Sequence, residues 1–231
     1  MSLDFYNERK QHQAIPASTV VVLRDTASGI EVLLLRRNRR SSFGPNAWVF
    51  PGGVVEADDA GSDELDCARY AATRETQEEA GIAISIENLV FFSHWTPPPE
   101  MTKRFSTYFF ITSETIAKAI EVDGQEITSH DWISPQQAIA HFDSGEKSLL
   151  PPTYVTLNQL CAFASSAEAI EYYANKPAKY YAPKLSADGD DMVFLYGEDA
   201  GYEAADIAIE GKKDRLYLRG GKYDYQYDER S

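Results

Sequence analysis

Residues 74–82 read RETQEEAGI, and they place three glutamates, Glu75, Glu78 and Glu79, within one turn and a half of a helix that must stop at Gly81. Positions i, i+3 and i+4 lie on one face of an α-helix, where like charges repel. A solvated acidic face tolerates that at small cost, whereas a divalent-cation site requires it. Three hard oxygen donors on a rigid face suit Mg²⁺, which takes carboxylates, water and phosphate oxygens. Arg74 stands one turn before Glu78 and can pair with it, fixing a carboxylate without neutralising the set.

The helix that carries them is expected from about Asp63 to Ala80. Ser62 suits its N-cap, while Asp63 and Glu64 suit the positive end of its dipole. Gly81 suits the left-handed position just past its end. Leu65, Ala68, Ala72, Thr76 and Ala80 recur at helical spacing and form a buried stripe of mostly small side chains. Just upstream, PGG (51–53) offers backbone freedom near the glutamates.

Around this helix the chain alternates short apolar segments with turns. ASTVVVLRD (17–25) and IEVLLLRR (30–37), split by TASG, read as a hairpin or two adjacent strands. WVFPGGVV (48–55) is a short strand broken by proline and glycine. ENLVFFSHW (87–95), RFSTYFFIT (104–112) and a stretch near QEITSHDWI (125–133) read as strands; SPQQAIAHF follows as a helix with Ser134 as cap and Pro135 at its first position. After residue 150 the texture changes. PPTYVTLNQLCAFA reads as a helix with a stripe through Tyr154, Leu157, Leu160 and Cys161, and SAEAIEYYA either extends or follows it. DMVFLYG and RLYLRGGKYDYQY read as short strands. The expected domains are therefore 1–150 and a C-terminal extension, 151–231, packed on the first. Most of the 14 tyrosines are expected as amphipathic surface cover.

Composition excludes several classes. With 231 residues, 43% of them hydrophobic and 25% charged, the chain is an ordinary globular one. A net charge of −14 argues against a basic nucleic-acid-binding surface but not against anionic substrates, since bound cations reverse the local field. STVVVL and NLVFF are far shorter than a bilayer span, so no membrane partner is expected. The opening MSLDFYNERKQHQ lacks an apolar signal core and DERS matches no address signal, so cytoplasm is the expected compartment. Cys67 and Cys161 are expected as reduced core residues, with a disulfide as the alternative, and no Cys/His cluster suggests zinc. His12, His94, His130 and His141 show no ligand spacing; His94, beside Trp95, is at most a pocket-lining residue.

The segment GGVVEADDAGSDELDCARYAATRETQEEAGI resembles the signature of the Nudix hydrolases, G-x5-E-x7-R-E-U-x-E-E-x-G-U with U apolar. Arg74, Glu75, Glu78, Glu79, Gly81 and Ile82 stand at matching places, and Thr76 occupies an apolar one. The first half is stretched. Read with Asp66 as the early carboxylate, 12 residues separate it from Gly53 instead of five, and such a loop insertion costs little chain entropy.

The resemblance implies an α/β fold, an α/β/α sandwich with a mixed β-sheet, and hydrolysis of a nucleoside diphosphate linked to another group. It implies Mg²⁺ or Mn²⁺ held by Glu75, Glu78, Glu79 and the Gly52 carbonyl, with Glu75 one candidate base. Glu126 lies six residues before Trp132, similar to the E-x5-W arrangement of several members, and is expected to join the metals; the alternative is a solvated strand end. The expected catalytic set is Glu75, Glu79 and Glu126.

For substrate contacts the candidates are Arg37 and Arg40, with Arg39, in RRNRR, and Arg104 in HWTPPPEMTKRFSTYFF. An arginine fork can hold a terminal phosphate bidentately, and a solvated strand end is the alternative for RRNRR. That second stretch, with LRDTASGIEVLLLRRNRRSSFGPNAWVFPGG, LPPTYVTLNQL and DGDDMVFLYGEDAGYE, resembles the branch that includes peroxisomal coenzyme A diphosphatases. Coenzyme A or acyl-CoA is thus an implied substrate. A separate coenzyme A signature ending in FPGG is met only in part, because Ser42 and Asn46 occupy its expected Arg and Gly positions. ADP-ribose or NADH pyrophosphatase activity stays open, as does a non-catalytic nucleotide-binding regulator. Oligomeric state is not fixed by the sequence.

Overall fold

The computed structural model describes residues 14–113 and 119–228. His12, the opening MSLDFYNERKQHQ and the final residues of DERS lie outside the described residues. The chain divides into two compact units, one of residues 16–94 and 107–179, the other of the remaining described residues, 14–15, 95–106 and 180–228.

The first unit is built on β1 (Ile15–Thr26) and β2 (Gly29–Arg37), an antiparallel hairpin in which Leu23 faces Val32 and Thr26 faces Gly29. Away from their turn the two strands separate, and each takes a new partner between them. β3 (Ala47–Val49) pairs with β2, and β4 (Gly52–Val54) pairs with β1. The break between β3 and β4 is Phe50 and Pro51, so the PGG turn sits where the sheet opens.

α1 (Glu64–Ala80) and a 3-10 turn (Ile86–Asn88) follow, then β5 (Val90–Trp95), β6 (Phe105–Ser113) and β7 (Ile127–Ile133). α2 (Pro135–Asp143), β8 (Ser148–Leu149), α3 (Pro151–Leu160) and α4 (Ser166–Ala174) complete this unit. The strand order is β8-β3-β2-β1-β6-β5, with β7 on β2 and β4 on β1. β3 and β8 run parallel while β1–β2 and β2–β7 are antiparallel, so the sheet is mixed as expected.

Alternation along the strands builds the layers. Val20, Val22, Leu33 and Leu35 turn to one face and pack with Ala68, Ala72 and Ala80 of α1. Val21 and Leu34 turn to the other face and are equally inaccessible, and α2 packs against β2 on the sheet's flank and against α3. Strands buried on both faces read as continuous apolar runs, which is how VVVL and VLLL appear. Each fully buried Val or Leu contributes about 1.5–3 kcal/mol. Thr76 fits the apolar stripe because its hydroxyl donates to the Ala72 carbonyl at 2.7 Å, leaving no unpaired donor in the core.

Several expectations change. The N-cap of α1 is Asp63, whose side chain accepts the Asp66 N–H; Ser62 instead donates to the Asp66 carboxylate. SAEAIEYYA forms α4, separate from α3, and Cys161 is the C-cap of α3 instead of part of its buried stripe. Both cysteines are free and half-buried, not core residues. The units divide the chain at 15/16, 94/95, 106/107 and 179/180, with α3 and α4 in the first unit.

The second unit holds β9 (Lys179–Tyr181, shared at its first residue with the other unit) and an antiparallel sheet. That sheet's order is β10 (Lys184–Asp188), β11 (Asp191–Leu195), β12 (Asp214–Arg219) and β13 (Lys222–Tyr227). Its core is aromatic. Trp95 stacks on Tyr181 at 3.8 Å, and Tyr196 sets its edge against both. Among the described tyrosines Tyr70, Tyr172 and Tyr180 are exposed and most others are half-buried, as amphipathic cover would be; Tyr154, Tyr181, Tyr196 and Tyr217 instead lie in the interior. Among the described residues no helix is long and apolar enough to cross a membrane.

Candidate active site

The last turns of α1 meet the PGG turn. Gly81 closes the helix at φ 70°, with its N–H on the Gln77 carbonyl. Glu79 lies on the buried edge, 4% exposed, and its Oε2 accepts the Gly52 N–H at 2.9 Å. Glu75, one turn earlier, presses its carboxylate on Gly53, where a Cβ would overlap it. Gly52 has φ 152°, and a Cβ there would strike the Ser18 carbonyl and Thr19 of β1. Gly52 is therefore required by the approach of β1 to the turn, whereas Gly53 leaves room for the Glu75 carboxylate.

Arg74 spends all five of its donors on this corner. Nε and Nη2 grip the two oxygens of Asp59 at 3.0 and 2.9 Å. Nη1 reaches Glu75 at 2.9 Å and Glu78 at 3.2 Å, and Nη2 also reaches the Val54 carbonyl at 3.1 Å. The expected Arg74–Glu78 pair is present, yet the stronger partner is Asp59, which is nearly inaccessible and also takes the Glu56 N–H at 2.8 Å. Burial pushes Asp59 up, but the Arg74 fork and the Glu56 N–H outweigh it and hold the carboxyl below the usual range. Arg74 is raised in turn, first by its bonds to Asp59.

This corrects the reading of the motif. Asp66 is half-buried and bonded within the helix start to Ser62, so it is not the early carboxylate. Asp59 fills that place at five residues from Gly53, the unstretched spacing, and the extra residues fall between Asp59 and Arg74. The spacing itself was a signal available in the sequence.

Glu126, just before β7, and Arg37, at the end of β2, join the cluster. Arg37 shares the face of Leu33 and Leu35, and a register irregularity separates it from Arg36 where it meets Ile127. Burial, more than any other cause, pushes Glu79 up to about 8; the Gly52 N–H and Arg37 oppose this, while Glu75 and Glu126 add to it. Glu75 is raised as well, by burial first, against Arg74 and with the fields of Glu78 and Glu126. Four acids and two arginines, Arg37 and Arg74, thus share one electrostatic neighbourhood. Arg37 donates through Nε and Nη2 to Ser41 Oγ at 3.1 and 3.0 Å, which holds its fork in place.

Arg39 and Arg40 are exposed, and the Arg40 backbone N–H is tied to Asn38. Arg104 belongs to the second unit, where Nε and Nη2 donate to the Pro97 carbonyl at 3.0 and 2.9 Å. His94 packs on Tyr108, His130 is exposed, and His141 lies 3.6 Å from Glu146.

The acids fit a hard divalent cation by donor type and by charge. Glu79 is a buried carboxylate that takes the Gly52 N–H, with Glu75, Glu126 and Arg37 in its field. Among the described residues no three acids already point to a common centre. Each instead turns to a nearby donor, Glu75 and Glu78 to Arg74 and Glu79 to Gly52, which is how like charges separate when they have other partners. Gly52 meets Glu79 through its N–H; its carbonyl is the group expected for a metal.

A model of the NUDIX domain matches residues 14–151. The chain is 24% identical to acyl-coenzyme A diphosphatase NUDT19 of Xenopus laevis, over 87% of this chain and 81% of that protein. It is 25% identical to putative nudix hydrolase 7 of Caenorhabditis elegans, over 77% and 70%. A NUDIX hydrolase structure from Alicyclobacillus acidocaldarius superposes with a TM-score of 0.66 at 23% identity, covering 73% of this chain and 100% of that one, a likeness of fold.

Proposed function

The chain belongs to the Nudix hydrolase family, and on that premise we propose that it cleaves the diphosphate of coenzyme A or an acyl-CoA with Mg²⁺ or Mn²⁺ bound at the α1 glutamates. The observation that carries the reading is the gathering of Glu75, Glu79 and Glu126 beside the PGG turn, with Glu79 buried and raised. Glu75, Glu78, Glu79, Glu126 and the Gly52 carbonyl would hold the cations. When bound, the metal supplies charge neutralisation along the diphosphate and an acidified water.

The chain's own groups do the rest. Arg74 and Asp59 lock the helix to the turn so that Glu75 and Glu78 keep their places. Glu75 is the candidate base: half-buried and raised, it can accept the proton of a water that attacks one phosphorus. The bridging P–O bond then breaks and the second phosphate leaves with the electron pair. Arg37, held by Ser41, faces the same acids and can hold a phosphate oxygen.

Two observations favour a coenzyme A substrate. The Xenopus relative is named for acyl-CoA cleavage and aligns over most of the chain. Asn46 sits at φ 59°, a left-handed position that glycine normally fills, so the departure from Gly in the coenzyme A signature keeps the loop's shape. Ser42 leaves the departure from Arg unexplained.

The experiment is product release with Mg²⁺ from a panel of CoA, an acyl-CoA, ADP-ribose, NADH and nucleotide sugars. CoA or acyl-CoA split to 3′-phosphoadenosine phosphate and phosphopantetheine (or its acyl form) supports the proposal. AMP from ADP-ribose or NADH alone moves the substrate to that class, and tight nucleotide binding without turnover makes the protein a regulator.

A further inference from the structure

Glu126 carries an exposed side chain on a backbone held from two sides. From just past the end of β2, the Asn38 N–H donates to the Glu126 carbonyl at 2.7 Å, and Asn38 Nδ2 donates to the Gln125 carbonyl at 2.8 Å. From the other side, Asp123 gathers the next amides. Its Oδ1 accepts the N–H groups of Gln125, Glu126 and Ile127 at 2.8, 3.1 and 2.9 Å, and Oδ2 lies 3.3 Å from the Glu126 nitrogen. Gly124, at φ 71°, turns the chain so that three successive amides face one carboxylate.

We propose that Asp123, assisted by Asn38, is a positioning residue that holds Glu126 in the acid cluster during diphosphate cleavage. This rests on the reading of Glu126 as part of the site. Glu75 and Glu79 repel the Glu126 carboxylate, and a residue at a loose strand end would relieve that repulsion by swinging into solvent. Tying its amide to Asp123 and its carbonyl to Asn38 transfers the strain to the backbone, which the β2–β7 ladder anchors through the Arg37–Ile127 pair. Charge-assisted bonds to backbone amides are among the stronger ones available. The same clamp lies next to Arg37, so one piece of loop aims an acid and an arginine at Glu79.

A turn cap with no role beyond local structure would show the same bonds, so the test must read the site. The full chain is compared with Asp123→Ala, Asp123→Asn, Glu126→Gln and the Asp123→Ala/Glu126→Gln pair. The readouts are Mn²⁺ affinity by calorimetry, kcat and KM on the best substrate of the panel, and amide exchange at residues 125–127. Asp123→Ala is expected to speed exchange at those amides, weaken Mn²⁺ binding roughly 10–100-fold and lower kcat by a similar factor. KM should stay within about twofold. Asp123→Asn, which keeps the accepting oxygen, should recover most of both. The double variant should be no weaker than Glu126→Gln alone. Faster exchange with native Mn²⁺ affinity and native kcat overturns the proposal and leaves Asp123 a turn cap. Additive losses in the double variant overturn it too, while sparing Glu126. Native Mn²⁺ affinity and turnover in Glu126→Gln remove Glu126 from the site, and the positioning role goes with it.

Discussion

Glu79 Oε2 accepts the backbone N–H of Gly52 at 2.9 Å, which joins the end of α1 to the turn between β3 and β4. The contact keeps a carboxylate at 4% exposure where the glycine backbone leaves room for it. Glu79→Gln preserves an oxygen acceptor and removes the charge. It is expected to keep the fold and lower kcat roughly a hundredfold or more, since a divalent cation contributes several kcal/mol of charge stabilisation. Circular dichroism with steady-state rates in Mg²⁺ checks both halves; native turnover removes Glu79 from the metal set.

The raised carboxyls set a pH dependence for the metal-free protein. A glutamate moved from 4.5 to about 8 on folding binds a proton that the unfolded chain has lost in that range. Stability is therefore unaffected below about 4.5, falls as pH rises, and reaches its low plateau above about 8. Glu75, also raised, adds to the fall, and Glu126 and Arg37 face the same carboxylate with opposite effects. Asp59, held low, has the reverse sign and matters only at more acid pH. Thermal melts in EDTA from pH 5 to 8 should show a declining midpoint, flatter in Glu79→Gln and flattened by Mg²⁺. A midpoint that rises across this window contradicts the assignment.

Asp59 and Asp66 differ in what their loss should do. Asp59→Ala strips Arg74 of its bidentate partner at a buried corner, and breaking such a pair is expected to cost about 2–4 kcal/mol. Activity should fall with it, since Arg74 also holds Glu75 and Glu78. Asp66→Ala removes an acceptor bonded only near the helix start and should stay within about 1 kcal/mol with near-native rates. Urea unfolding of the two variants compares them directly; equal losses refute the placement of the motif's first acid at Asp59.

These contrasts locate what was legible in the sequence. Short-range signals read well: the hairpin of β1 and β2, the glycine stop at Gly81 and the Ser134–Pro135 start of α2 each depend on neighbours a few residues away. The glutamate face was legible because helical spacing alone places Glu75, Glu78 and Glu79 together. The early acid was legible too, at the five-residue spacing of Asp59 from Gly53, but the loop offers several acids, and its contact with Arg74 is what singles Asp59 out. Asp123 and Asn38 act through backbone groups, which no side-chain pattern announces. Arg40 and Arg104 carried the right charge, but Arg40 is exposed and Arg104 is committed to a carbonyl of its own unit. The burial of Tyr196 was not legible because its partners, Trp95 and Tyr181, are distant in sequence.

Gly53→Ala gives the last prediction, and it separates geometry from charge. The substitution changes no ionisable group and removes no hydrogen-bonding side chain, yet its Cβ would occupy space now held by the Glu75 carboxylate. Glu75 would have to turn away, and its bond to Arg74 would stretch with it. Displacement by about 1 Å is enough to cost roughly a hundredfold in rate when a reacting group depends on placement. Gly52→Ala, by contrast, drives its methyl into the β1 backbone at a left-handed φ and should chiefly lower stability. Gly53→Ala is therefore expected to fold and lose kcat, and Gly52→Ala to unfold at a markedly lower temperature. A Gly53→Ala protein with native turnover would mean that Glu75 works from a position other than the one it holds against this turn.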